Sequence, residues 1–185
     1  RRVAQKMDFE LKKKENIFES PNVLGYLEGT DLKDELLVIT SHYDHVGTKG
    51  DKIFNGADDD GSGTVAVMEI AEAFAKAKAE GNGPRRSILF MNVTGEEKGL
   101  LGSEFYTNNP VYPLKNTIAN LNIDMVGRLD KLHDESSKNY VYVIGSDRLS
   151  TELHDINEKA NETYVNMNLD YKYNDKDDPQ RFYYR

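Results

Sequence analysis

The sequence predicts an α/β protein with a mostly parallel central sheet flanked by helices, and three observations carry that prediction. Two are continuous apolar runs, Leu36–Thr40 and Ile88–Val93, of the kind found in strands covered on both faces. The third is the segment between them, Ser62–Ala79, which is rich in alanine and carries Val65, Met68, Ile70, Ala71 and Phe74 on roughly one side of a helix. Strand, helix and strand in alternation call for parallel pairing through right-handed crossovers.

The remaining elements follow in order. Residues 1–20 form a charged N-terminal extension, Lys12-Lys13-Lys14 included, compatible with a helix or a ragged segment. Asn22–Gly29 alternates as a strand, Thr30–Asp34 is a polar turn, and Glu35–Ser41 is the first buried strand. Gly47–Gly56 reads as a loop before the long helix, which Gly81-Asn82-Gly83-Pro84 terminates. Arg86–Val93 is the next strand, and Gly99–Thr107 a short helix stopped by Asn108-Asn109-Pro110. Thr117–Val126 and Tyr140–Ile144 read as strands. Leu149–Glu162 is a helix, with Leu149, Leu153, Ile156 and Ala160 at helical spacing.

Composition narrows the function classes. A chain of 185 residues suits one domain with a real core. Its net charge of −8 argues against nonspecific nucleic-acid binding, and no apolar run reaches membrane-spanning length. Without cysteine there is no disulfide framework and no thiolate ligand, so a metal here would sit among oxygen and imidazole groups. The start at Arg1-Arg2-Val3, lacking Met or an apolar signal segment, reads as an interior start.

Four places bear chemistry, and each has an ordinary explanation beside the functional one. Asp58-Asp59-Asp60 sets three carboxylates side by side between Gly56-Ala57 and Gly61-Ser62-Gly63, directly before the long helix. Adjacent like charges need solvent or a cation, although Asp60 or Ser62 also suits a helix N-cap. His42-x-Asp44 ends the first buried strand. The pair fits a metal-binding imidazole oriented by a carboxylate, and equally a strand cap beginning a turn. Glu96-Glu97 follows the second buried strand and could divide metal binding from proton transfer, or merely open a helix. Asp124 stands among apolar neighbours and needs a compensating partner, either a metal or an arginine such as Arg86 or Arg128. Individually these signals are ordinary. Their shared placement at strand ends, where parallel sheets build ligand sites, joins them into one candidate two-metal hydrolase site.

In His42-Tyr43-Asp44, Gly56-Ala57-Asp58-Asp59-Asp60-Gly61-Ser62-Gly63, Thr94-Gly95-Glu96-Glu97-Lys98-Gly99-Leu100-Leu101-Gly102-Ser103 and Asn122-Ile123-Asp124-Met125 the chain resembles the M28 metallopeptidases. The resemblance runs from about residue 22 onward and is closest to the exported bacterial members. It implies a mixed, mostly parallel sheet in a three-layer α/β/α arrangement of the zinc exopeptidase, phosphorylase/hydrolase-like type. A peptidase domain would occupy residues 21–185. It also implies two zinc ions, with His42 and Asp124 on one, Asp59 bridging both and Glu97 on the other. Glu96 would be the general acid/base and Asp44 would orient His42. The Asp59–Asp60 peptide is expected to be cis. The implied reaction is hydrolysis of a peptide substrate, most simply as an aminopeptidase, by water activated at the metals. The implied location is periplasmic, secreted or at the cell surface.

One departure qualifies the expectation. The family supplies a late histidine to the metal held by Glu97, and this sequence ends at Arg181-Phe182-Tyr183-Tyr184-Arg185 without it. His45 stands too near His42 in the motif to fill that place, His133 follows a loop and His154 lies in a charged helix, so all three read as structural or exposed. The domain is therefore expected to be incomplete at its C-terminus. It would hold the His42 metal more firmly than the other and show little or no activity. The alternatives are a noncatalytic metal-binding or receptor-like module on the same scaffold, and a carboxypeptidase- or cyclase-type relative.

Overall fold

The structure, a computed structural model, describes residues 9–12, 17, 19–134, 136–174, 177 and 182. Most of the expected N-terminal extension lies outside the described residues, as do Arg181 and 183–185.

The central sheet has four strands in the order β1-β5-β2-β6, formed by β1 (Val23–Leu27), β5 (Arg86–Val93), β2 (Leu32–His42) and β6 (Thr117–Asn122). β2 runs parallel to both β5 and β6, while β1 joins β5 antiparallel, so the sheet is mixed and mostly parallel. β5 has the bounds that its apolar run predicts. β2 begins earlier than predicted, at Leu32, because an irregularity between Leu32 and Leu36 absorbs the polar stretch within the strand.

Alternation along β2 and β5 divides the core into two layers. On one face Leu36, Val38, Leu89, Met91 and Val93 pack with Tyr106 of α2 (Leu101–Asn108). On the other, Ile39, Ile88 and Phe90 pack with Val67 of α1 (Gly61–Ala79), flanked by Ile70, Ala71 and Phe74. Helices thus cover both faces, giving the three layers.

The face that α1 buries matches the expected one at Ile70, Ala71 and Phe74 and departs from it at Val65 and Met68. Val67 is 1% exposed, whereas Val65 and Met68 are 57% and 60% exposed. Gly63, Val67, Ile70, Ala71 and Phe74 form the inward stripe with spacing i, i+4, i+7, i+8 and i+11. Alanines on every side of this helix leave its phase open in the sequence, and tertiary packing sets it.

Other differences are local. The expected loop 47–56 contains a hairpin, β3 (Gly47–Lys49) and β4 (Lys52–Phe54), turning at Gly50 with φ of 61°. β6 stops at Asn122, short of the predicted Val126, and Met125 takes a φ of 54° as the chain turns away. β7 (Tyr140–Tyr142) pairs in parallel with an unpredicted strand, β8 (Asn168–Asp170). α3 (Thr151–Ala160) is capped by Ser150 and passes into a π-helical turn, Asn161–Val165. Among the described residues no helix is long and apolar enough to cross a membrane.

Candidate metal centre

β2, β5 and β6 deliver their carboxyl ends to one place, opposite the N-terminus of α1. His42 is the last residue of β2 and is 3% exposed. Its Nδ1 lies 3.0 Å from the backbone carbonyl oxygen of Asp44. A carbonyl only accepts, so Nδ1 carries the proton and Nε2 of the neutral ring presents a lone pair. That Nε2 is buried without a hydrogen-bond partner and faces Asp59 Oδ1 at 3.2 Å, with Glu96 Oε2 and Asp124 Oδ2 each at 3.9 Å.

The three adjacent aspartates have separate tasks. Asp60 is 1% exposed and caps α1. Its Oδ1 accepts from the N–H of Gly63 (2.9 Å) and Met125 (3.2 Å), and its Oδ2 accepts from the N–H of His42 (3.1 Å). A Cβ on Gly63 would come within 2.4 Å of that carboxylate and 2.5 Å of the Ile123 carbonyl, so only glycine admits the approach. Asp58 Oδ1 accepts from Gly127 N–H at 2.8 Å, and the Asp58 carbonyl accepts from Ser62 Oγ at 2.7 Å. Asp58 and Asp60 therefore hold backbone. Asp59 points to the imidazoles. The Asp59–Asp60 peptide is cis.

Beyond β5, Gly95 takes a φ of 67° and begins a 3₁₀ turn, Glu96–Lys98. The Asp44 carboxylate accepts from the backbone N–H of Glu96 at 3.0 Å and of Glu97 at 3.3 Å, which fixes this turn against the loop after β2. Asp44 Oδ1 stays 3.7 Å from His42 Nδ1, so Asp44 orients the imidazole through its carbonyl and the glutamates through its carboxylate.

Among the described residues two groups of three potential ligands result: His42 with Asp60 and Asp124, and His45 with Asp59 and Glu97. Within each group the donor atoms lie within 4.8 Å of one another. Asp59 is as near to His42 Nε2 as to a hydrogen-bond partner, so it adjoins both groups. For the first group Asp59 is the better third donor, since Asp60 already serves three backbone amides. All the predicted residues, His42, Asp44, Asp59, Glu96, Glu97 and Asp124, meet here.

Sequence reasoning sets His45 aside, yet its ring faces Glu97. The other two histidines are occupied elsewhere. His133 is bonded to Asp130 (2.9 Å) and stacked on Tyr140, and His154 Nδ1 lies 2.9 Å from Ser146 Oγ.

The electrostatics favour a cation. Burial pushes the Asp60 carboxyl up to about 6, against the hydrogen bond from His42 N–H, and the Asp124 charge adds to the rise. Burial disfavours the charged His42 ring, but the negative charges of Asp124, Asp60 and Glu96 and the Asp44 carbonyl outweigh it and raise its pKa. Buried lone pairs and carboxylates converging on one space, with affinity for positive charge, fit divalent metal ions with nitrogen and oxygen ligands.

An α/β sheet with a carboxylate–imidazole centre at its strand ends defines the class. Residues 22–183 match Peptidase family M28, and the chain belongs to that family. It is 36% identical over 116 residues to a probable zinc metalloprotease of Pyrenophora tritici-repentis, covering 57% of this chain and 22% of that protein. It is 36% identical over 104 residues to a probable glutamate carboxypeptidase of Arabidopsis thaliana, covering 56% and 14%. A zinc aminopeptidase from Bacillus subtilis shares the fold with a TM-score of 0.58 and 28% identity, over 76% of this chain and 32% of that one. The chain thus spans less than a quarter of the length of these two curated relatives.

Proposed function

We propose that the protein hydrolyses peptide bonds at a two-zinc centre, as an aminopeptidase. The observation that carries this reading is the position of Asp59, between His42 on one side and the His45–Glu97 pair on the other. His42 and Asp124 would hold one ion, Glu97 the other, and Asp59 would serve both. Zinc, when bound, supplies a Lewis acid that brings the pKa of water towards about 7 and polarises a carbonyl. Glu96, 12% exposed and 3.9 Å from His42 Nε2, takes the proton from the attacking water and passes it to the leaving amine. Asp44 sets the Glu96 backbone, and Asp60 ties the end of β2 to the start of α1. The carboxylate excess around His42 suits a substrate with a free, protonated amine.

A carboxypeptidase is the second reading, favoured by the similarity to the probable glutamate carboxypeptidase. The test is zinc content after dialysis against trace zinc, followed by assay on two dipeptide series, one N-acetylated and one C-amidated. Zinc retained by the parent and lost in Asp59→Ala, with cleavage of the C-amidated series alone, supports the aminopeptidase. Cleavage of the N-acetylated series alone supports the second reading. A parent chain without zinc overturns both.

A further inference from the structure

Asn22 stands one residue before β1, just past the point where the antiparallel pairing with β5 ends at Val23 and Asn92. There its half-buried side chain takes over from the ladder. Oδ1 accepts from the N–H of Thr94 at 3.1 Å, and Nδ2 donates to the carbonyl of Gly102 at 2.8 Å. A backbone N–H only donates and a carbonyl only accepts, so the carboxamide fits in this one orientation.

Those two partners are the ends of the loop that carries Glu96 and Glu97. Gly102 N–H donates to the Thr94 carbonyl at 2.8 Å and closes the loop directly. With Asn22 added, the N–H and the carbonyl of both Thr94 and Gly102 are engaged across one narrow neck. The neck needs glycine: a Cβ on Gly102 would stand 2.4 Å from Asn22 Oδ1 and 2.4 Å from the Thr94 carbonyl oxygen. Asn22 is itself held from both sides, by β1 after it and by the Tyr43 hydroxyl, which donates to the Pro21 carbonyl at 2.6 Å.

We propose that Asn22 is a positioning residue for the Glu96–Glu97 turn, clamping the neck of its loop while Asp44 holds the tip through the Glu96 and Glu97 N–H groups. What that positioning serves rests on the proton-transfer and ligand roles given to Glu96 and Glu97 above. Asn22 acts through main chain, at Thr94 and Gly102. Without its carboxamide the turn hangs on Asp44 and one backbone bond, and the glutamates lose the fixed aim that proton transfer requires.

The test is amide hydrogen exchange of the parent, Asn22→Ala and Asn22→Asp, followed by kcat and KM on a C-amidated dipeptide. In Asn22→Ala the Thr94, Glu96 and Glu97 amides are expected to exchange about tenfold faster, while the His42 amide held by Asp60 keeps its parental rate. Asn22→Asp keeps the acceptor for Thr94 but sets a carboxylate oxygen against the Gly102 carbonyl. Thr94 then stays protected and the two glutamate amides speed up. In Asn22→Ala kcat is expected to fall about 10- to 100-fold with KM within about twofold. Val67→Ala, which weakens the core away from the loop, lowers stability and leaves kcat parental. Glu96 and Glu97 amides that exchange at the parental rate in Asn22→Ala overturn the proposal, as does a kcat that falls no further than in Val67→Ala. If Asn22→Ala does not fold, Asn22→Asp decides by its glutamate amides. A parent without turnover overturns the hydrolase reading, and the exchange rates then judge the clamp alone.

Discussion

Asp44 and His42 meet through the backbone: the imidazole Nδ1 is bonded to the Asp44 carbonyl at 3.0 Å, while the Asp44 carboxylate stands 3.7 Å away and serves Glu96 and Glu97. One residue thereby sets the tautomer of His42 with its main chain and the Glu96–Glu97 turn with its side chain.

Asp44→Ala separates those tasks. The carbonyl survives, so the His42 ion is held as before, while the turn loses two acceptors. Affinity for the Glu97 ion and turnover are each expected to fall about 10- to 100-fold. Zinc calorimetry beside a peptidase assay checks this, and equal weakening of both ions contradicts it.

Glu96→Gln removes the proton acceptor and keeps the shape. Turnover is expected to fall about 10²- to 10⁴-fold, with zinc content unchanged. Elemental analysis and initial rates on the same sample provide the measurement. A parallel loss of zinc would make Glu96 a ligand instead.

Val67→Ala opens a cavity in the α1 layer and is expected to cost about 2 kcal/mol. Val65→Ala, on the exposed side of the same helix, should stay within about 0.5 kcal/mol. Urea midpoints of the two variants test the orientation of α1 directly.

Asp60→Ala leaves the amides of His42, Gly63 and Met125 without their acceptor. Destabilisation of about 3 kcal/mol is expected, combining a lost helix cap with buried unpaired donors. An unchanged urea midpoint would contradict that account.

Acid acts elsewhere. The hydrogen-bonded Arg85 guanidinium holds Asp31 down at about 2 from 3.8. A depressed carboxylate contributes stability above its unfolded pKa, and the contribution disappears as pH falls from 3.8 towards 2. The pair is exposed and its effect correspondingly modest. A carboxyl ¹³C titration should place the Asp31 midpoint near 2 in the parent and move it up in Arg85→Ala.

The buried strands, and several of the residues that gather at their ends, were legible in the sequence for one reason. β2 and β5, covered on both faces, show as unbroken apolar runs, with His42 at the end of one and Glu96 and Glu97 just past the other. Three things were hidden. The β3–β4 strands are largely exposed, so no apolar alternation marks them. The phase of α1 is blurred by its alanines. His45 reads as redundant beside His42 because its partner, Glu97, reaches it only through the pairing of β2 with β5. Proximity created by sheet pairing leaves no local pattern.

The single carboxylate of Asp60 grips amides from the end of β2, the first turn of α1 and the chain beyond β6. Those three N–H groups share one acceptor residue, so exposing any of them to solvent exchange requires the same side chain to let go. Their deuterium uptake should rise together, as one opening event at the junction of three elements. The carboxyl end of the sheet then moves as a unit or not at all.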